Sequence, residues 1–440
     1  MLDVTTPRSE EKRLKWMPSN FILAAIFIIS IAIFLLNGRS DGHYGDFEPI
    51  YGSIQCTLSH SNPYSIPDVQ AALISHGADA SRYTSSFWQT HALLYPPLTY
   101  YLLSPLALLN YPAAGLAYFW VSALTIIAGC FLIIRLSPPY ARTVVVLGVS
   151  AVLMTSSVLL RLGQVSTLTI ALLVMGTVLF ANRKYPILAA ILFLFAAGLK
   201  PQLVMPLMVY FCLPRFTRKY ALGALAAFVL VSAAAGLALA HQPSSAHWVA
   251  DLTAEVHSAV PFGPGARIDT GLIDLKSLTS LVSGSPYVYQ SFDLLVFATI
   301  ILVLGFGFFR TEENQERDWI YIAALSFFTL LLTYHRTYDM RIQILSFPAL
   351  GILWRRSIRL AGILTVLSAL SMFSTSIILE KWATAHFGNS IAHHLMFRLF
   401  VERQQAVAVL LATFAWAIAC VSLNRQRVAQ GEPCRVQAQA

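Results

Sequence analysis

Four short polar groups interrupt an otherwise apolar chain, and their residue types suit one kind of chemistry. Asp46 stands in Gly45-Asp46-Phe47-Glu48. Arg161 and Gln164 bound Arg161-Leu-Gly-Gln164. Lys200 opens Lys200-Pro-Gln202. The fourth group is His335-Arg336-Thr-Tyr338-Asp339-Met-Arg341. Lys, Arg and His side chains can hold a phosphodiester and stabilise the phosphate as it leaves. A carboxylate beside them can take the proton of an incoming hydroxyl. Together these groups suit group transfer from an anionic lipid.

Each group also has a plainer reading. Asp46 fits a helix N-cap, because Pro49 and an amphipathic run follow it. The two roles are compatible, since a helix N-terminus keeps a carboxylate ionised. Arg161 and Lys200 fit side chains that snorkel to a membrane interface. His335, Arg336 and Asp339 fit an ion pair capping two helices. Asp41 reads as a solvated loop charge, and His393-His394 as loop surface rather than a metal site. Placement separates the two sets of readings, and placement depends on the elements between the groups.

Those elements are membrane helices. Hydrophobic residues make up 57% of the 440 residues and charged residues 12%, against about 25% charge in a soluble domain. Apolar runs predict twelve spans, near 21–37, 114–134, 143–160, 165–181, 186–199, 202–213, 220–240, 292–309, 319–334, 340–354, 358–378 and 405–423. The first run follows a basic segment with Lys12, Arg13 and Lys15 and lacks a small-x-small cleavage site, so it reads as a span rather than a removable signal. The basic N-terminus starts in the cytoplasm. Alternation then puts 19 of the 30 Lys and Arg on the inner side, in short dense loops, with both termini (1–20 and 424–440) cytoplasmic. The net charge of +9 is therefore a topology signal rather than a nucleic-acid surface. All four polar groups fall on the outer face, where charge at membrane depth tends to mark function.

The expected fold is thus all-α, a single membrane domain over 21–423. Two long outer segments, about 38–112 and 241–290, carry juxtamembrane helices. Phe47, Ile50, Tyr51, Ile54 and Leu58 share one helical face, as do Trp248, Leu252 and Val256, and both faces are expected to lie along the interface. The run from Tyr95 to Asn110 reads as a juxtamembrane or re-entrant helix, because counting it as a span would invert every later loop. The five cysteines suggest neither a disulfide framework nor a zinc site, and no GxGxxG or P-loop is present.

Several motifs carry a family resemblance. They are Gly45-Asp46-Phe47 with Tyr51, Asn62-Pro63-Tyr64, Tyr95-Pro96-Pro97-Leu98 with Ser104-Pro105-Leu106, Leu162-Gly163-Gln164-Val165, Gly198-Leu199-Lys200-Pro201-Gln202, and His335-Arg336-Thr337-Tyr338-Asp339. In this order, on one face, they resemble glycosyltransferase family 87, the polyprenol-phosphate-mannose-dependent α-mannosyltransferases of the GT-C fold. The resemblance implies a GT-C-type multi-span bundle in a bacterial inner membrane. It also implies a catalytic Asp soon after the first span, here Asp46 as general base. The donor is then a polyprenyl-phosphate sugar, the acceptor a glycolipid or glycan, and the reaction an inverting displacement without metal or cofactor. Lys200, His335 and Arg341 are then candidates for the donor phosphate, with Arg161 and Gln164 nearby. Tyr95, Tyr338 and Asp339 complete the candidate substrate site. Gly271 to Leu278 departs from the Asn-rich Ser motif of relatives.

Two other classes fit the spans. A flippase for lipid-linked sugars usually places ionisable residues at the midplane of two matching halves, and here they cluster on one face. Another GT-C activity, such as arabinofuranosyl transfer, protein O-mannosylation or glycan ligation, would keep the fold and change the substrates. An adjacent Asp-Glu pair after the first span would favour the protein-modifying class, and Asp46-Phe47-Glu48 is not such a pair.

Overall fold

The structure, a computed structural model, describes residues 20–429 apart from 40–43, 92, 260–271, 284, 333–334, 374–375, 389 and 392–393. The tails before and after that range, and Asp41, Gly271 and His393, lie outside the described residues. The described chain is helical, and its only β-pairing is an isolated bridge between Leu272 and Arg336.

Helices occupy all twelve expected spans, but among the described residues six are long and apolar enough to cross a membrane by length and composition. These are α1 (Asn20–Gly38), α5 (Tyr111–Leu136), α6 (Arg142–Leu162), α10 (Arg218–Ala240), α13 (Pro286–Arg310) and the apolar part of α18 (Gln404–Ala429). Four shorter apolar helices join them: α7 (Val165–Ala181), α8 (Pro186–Leu199), α9 (Pro201–Phe211) and α16 (Ile358–Met372). The expected span at 319–334 is α14 (Gln315–Leu332), which carries Glu316, Arg317 and Asp318 in its first turn. The one at 340–354 is not a simple helix. It opens as a 3-10 stretch, Thr337–Ser346, and continues as the ten-residue α15 (Phe347–Arg356). A 3-10 helix rises about 2.0 Å per residue against 1.5 Å for an α-helix, so the composite still covers a long path.

Local sequence sets the helix starts. Pro stands in the first turn of α5, α8, α9 and α13, where a missing N–H costs nothing. The Asn110 side chain accepts the Ala113 N–H and so caps α5. At the centre lies α7, nearly every residue of which is buried. Helices α5, α8, α9 and α14 pack against it, while α1 lies on α6 and α18 on α14 and α16.

The chain turns at two ends. Residues 44–91, 93–110, 163–164, 200, 241–259, 272–283 and 335–346 collect at one end. The turns near 137–141, 182–185, 212–217, 311–314 and 357 collect at the other, tied by Arg183–Glu313 (3.6 Å), Gln315 Nε2 to Asn182 (2.7 Å) and Tyr140 to Glu316 (2.8 Å).

The first long segment differs from expectation. Helix α2 (Phe47–Leu58) does not lie along a surface: every residue except Leu58 is buried, beneath α3 (Ile66–Ser75), α4 (Pro97–Leu103) and α5. Its polar side is satisfied internally. Ser53 Oγ donates to the Pro63 carbonyl at 2.8 Å and Gln55 Nε2 to Tyr51 Oη at 2.9 Å. The Tyr95–Asn110 run forms α4 and a short 3-10 turn, Ser104–Leu108. In the second segment, Trp248 of α11 (Trp248–Ala259) stacks on Tyr64, and Asp251 accepts from Asn62 at 2.9 Å, joining the two segments. Helices α12 (Leu275–Val282) and α17 (Ser376–Phe387) lie at the same end.

Candidate active site

Asp46 sits at the N-cap position of α2, yet its side chain makes no capping hydrogen bond. The plainer reading of this residue therefore leaves its carboxylate unexplained. Three consecutive residues at the end of α6 account for it. The Leu162 carbonyl accepts the Asp46 N–H at 2.9 Å. Gly163 closes α6 in the left-handed region at φ +70°. Gln164 Nε2 then donates to Asp46 Oδ2. Gly163 is required twice over, because a Cβ there would also lie 2.6 Å from the Phe47 Cβ and 3.0 Å from the Tyr44 Cβ. Gly163→Ala is expected to lower stability by roughly 2 kcal/mol or more from the left-handed backbone and the clash. Activity should fall further than stability, because the displaced residues, Tyr44 and Phe47, frame Asp46 in the chain. Thermal melting beside a transfer assay separates the two effects.

The Asp46 carboxylate is mostly buried, with 18% of the side chain exposed. Burial raises its pKa above the ordinary 3.8, while the Gln164 hydrogen bond and the charges of His91, Arg336 and Lys200 pull the other way. His91 Nε2 lies 3.7 Å from Asp46 Oδ1, and its Nδ1 lies 2.9 Å from the Phe87 carbonyl. A carbonyl only accepts, so Nδ1 carries a proton and Nε2 faces the carboxylate. Glu48 points elsewhere. It is fully buried, ion-paired to Arg82, and accepts from Tyr111 Oη at 2.9 Å, so it anchors α2 to α5 and does not face Asp46's partners.

Lys200 occupies the break between α8 and α9. Its Nζ donates to both Asp339 oxygens, at 2.6 and 2.7 Å, and to Ser166 Oγ at 2.9 Å. That uses all three ammonium protons. The Nζ also stands 5.2 Å from the Tyr338 ring centroid. His335 Nδ1 meets Asp339 Oδ2 at 3.0 Å, and both residues are inaccessible to solvent. Burial alone would raise the Asp339 pKa, but Lys200 and His335 outweigh it and hold the carboxyl well below its usual range. The His335 carbonyl accepts the Ile273 N–H at 3.1 Å, tying this loop to the second long segment.

One cavity opens between these groups, about 680 Å³ including the part open to its surroundings. Its lining includes Asp46, His91, Tyr95, Gln164, Lys200, Gln202, Arg336 and Tyr338, with Pro49, Leu94 and Pro96 as apolar wall. The expected site residues divide accordingly. Asp46, Tyr95, Gln164, Lys200 and Tyr338 line the cavity. His335 and Asp339 lie buried behind Lys200. Arg341 turns back to the end of α6, donating to the Thr155 carbonyl at 2.8 Å and to the Thr337 carbonyl at 3.1 Å. Arg161 is exposed on the last turn of α6 and does not line the cavity. His91 and Arg336 were not assigned as site residues from the sequence. Arg336 belongs to a motif already singled out, whereas nothing in the spacing around His91 marks it.

The sequence model of glycosyltransferase family 87 matches residues 93–333. The chain belongs to glycosyltransferase family 87. The family 87 match includes Tyr95, Gln164 and Lys200, and Asp46 and the 335–341 loop flank it on either side in sequence. None of the curated proteins matches the chain. Membership and the apolar helices make the protein a membrane glycosyltransferase.

Proposed function

We propose that this enzyme transfers a sugar, mannose, from a polyprenyl-phosphate donor to a hydroxyl of a glycolipid or glycan acceptor, by inverting displacement. The observation that carries this reading is the joining of a carboxylate of raised pKa and two cationic side chains around one cavity. Asp46 takes the acceptor O–H proton as that oxygen bonds to the anomeric carbon. The bond from that carbon to the phosphate oxygen breaks, and polyprenyl phosphate leaves. Arg336 presents a planar donor fork suited to the phosphate. Lys200, with its protons committed to Asp339 and Ser166, adds positive charge rather than a direct hydrogen bond. Tyr95 and Tyr338 offer aromatic walls to the sugar. Arg161 and Arg341 are not needed for the phosphate in this arrangement, and His335 acts through Asp339.

The site is assigned to the extracytoplasmic face of a bacterial cytoplasmic membrane, with both termini cytoplasmic. The opposite end of the bundle carries Arg135, Arg142, Arg183, Lys184, Arg215, Arg218, Lys219, Arg355 and Arg356 in or beside short turns, and that density supports the orientation. A transfer assay tests the reaction. Purified protein is incubated with radiolabelled polyprenyl-phosphate-mannose and a glycolipid extract of the host. Label in a new glycolipid is the expected result. Label that crosses liposome leaflets without any glycosidic product would replace the reading with transport.

A pH profile tests the surroundings of the base. The Asp46 carboxylate must be ionised to act, so the rate falls as pH drops through its raised pKa. His91 is among the groups that lower that pKa. His91→Leu should therefore move the acid limb to higher pH. The expected loss is on the order of a few-fold on the acid limb, recovering as pH rises above it. An unmoved limb would remove His91 from the electrostatics of the base.

A further inference from the structure

A second cavity lies at the other end of the bundle, between the last turn of α5 and the turn joining α7 to α8. Leu132, Arg135, Leu136, Leu179, Lys184 and Tyr185 line it, around some 930 Å³ that includes open space. The lining holds two cations and no carboxylate. Several other cations at this end have partners: Arg183 pairs with Glu313, Arg317 with Asp318, Arg356 with Glu316, and Arg355 stands 4.6 Å from the Tyr140 ring centroid. The Arg135 and Lys184 side chains are exposed and have no partner among the described residues.

The turn that presents Lys184 is unusual. Arg183 (φ 55°) and Tyr185 (φ 45°) both occupy the left-handed region, which is costly for residues with a Cβ. Their neighbours hold them there, since the Arg183 N–H donates to the Phe180 carbonyl at 3.0 Å and the Lys184 N–H to the Leu179 carbonyl at 2.9 Å. Backbone strain retained in this way is common where a side chain must be aimed. Tyr185 is 72% exposed, and the α8 surface beyond it stays apolar through Ile187 and Ile191. The groove thus has cations at its mouth, a tyrosine at its edge and leucines along its wall. That is the profile of a headgroup level meeting hydrocarbon.

We propose that this groove binds an anionic phospholipid of the leaflet opposite the active site, its phosphate between Arg135 and Lys184 and an acyl chain along Leu132, Leu136 and Leu179. Charge complementarity selects the headgroup, and the apolar wall selects a lipid over a soluble phosphate. The site is separate from the glycosyl-transfer cavity and does not depend on the donor or acceptor assigned there.

Native mass spectrometry of the full chain in mild detergent tests the proposal without an activity readout. The probes are dioleoyl-phosphatidylglycerol, dioleoyl-phosphatidylcholine and glycerol 3-phosphate. Wild type should retain phosphatidylglycerol in preference to phosphatidylcholine, and glycerol 3-phosphate should not displace it. R135Q/K184Q should bind phosphatidylglycerol roughly tenfold to thirtyfold more weakly, at about one basic-residue contribution for each cation lost. R135K/K184R should keep the affinity. Equal binding of the two lipids, unchanged binding in R135Q/K184Q, or full displacement by glycerol 3-phosphate would each overturn the proposal. If the double variant melts below wild type in lipid-free detergent, K184Q alone carries the same comparison, because that side chain is exposed and unpaired.

Discussion

Asp46→Asn protein is expected to transfer sugar at about one hundredth to one ten-thousandth of the wild-type rate, the range lost with a general base, while melting no lower than wild type. The two halves of that result have one cause. Asparagine keeps the size of the side chain and an oxygen that accepts from Gln164 Nε2, so the tie between α2 and the end of α6 survives. What disappears is the negative charge, and with it the capacity to take a proton.

The stability half follows from the sign of the pKa shift. Burial raises the Asp46 pKa above its unfolded value, so the folded protein binds this proton more tightly than the unfolded chain. Stability linked to Asp46 therefore falls as pH rises from the ordinary carboxylate range through the raised value, and above it the cost of ionisation remains. Asparagine carries no such cost. A melting temperature at neutral pH equal to or above wild type, with transfer lost, identifies a group kept for chemistry. A clear fall in melting temperature would make Asp46 a structural residue. Full activity would remove it from the mechanism.

Composition alone makes the membrane architecture legible, because runs such as Val165–Ala181 have few other places to go. The site is partly legible for the same reason: Asp46, Gln164 and Lys200 are polar residues at the ends of apolar helices. Spacing leaves partners hidden. Lys200 and Asp339 are 139 residues apart, and the packing of α7 and α14 against the 335–346 stretch brings them together. Rotation about a helix is hidden as well. Arg161 lies three residues before Gln164, but the left-handed turn at Gly163 sends Gln164 towards Asp46 and leaves Arg161 facing outward. Amphipathicity misplaces α2, since a polar face reads as solvent-exposed until Pro63, Ala107 and Arg82 are seen to meet it. His91 lies in a mixed segment with no apolar background against which a histidine would stand out.

The largest expected effect on folding belongs to Lys200→Met. Removing the ammonium leaves the Asp339 carboxylate fully buried with His335 as its remaining partner, and breaking one side of a buried pair typically costs about 3–5 kcal/mol. The pair's worth relative to apolar residues is a separate matter, because both charges gave up hydration to be there. K200M/D339N should therefore recover a good part of the lost stability, since it leaves no buried charge alone. It should not recover transfer, because the cavity has lost one of its two cationic lining groups. The loss in Lys200→Met should also vary little with pH across the neutral range. The Asp339 pKa is depressed in the folded state, so the stability it contributes is complete above the ordinary carboxylate range and is lost only as pH falls below it. Denaturation of the two single variants and the double variant, read as a cycle, measures the coupling. A coupling near zero would mean that Lys200 and Asp339 do not hold each other in the folded protein. A double variant that regains both stability and transfer would show that the Lys200 charge plays no part in catalysis.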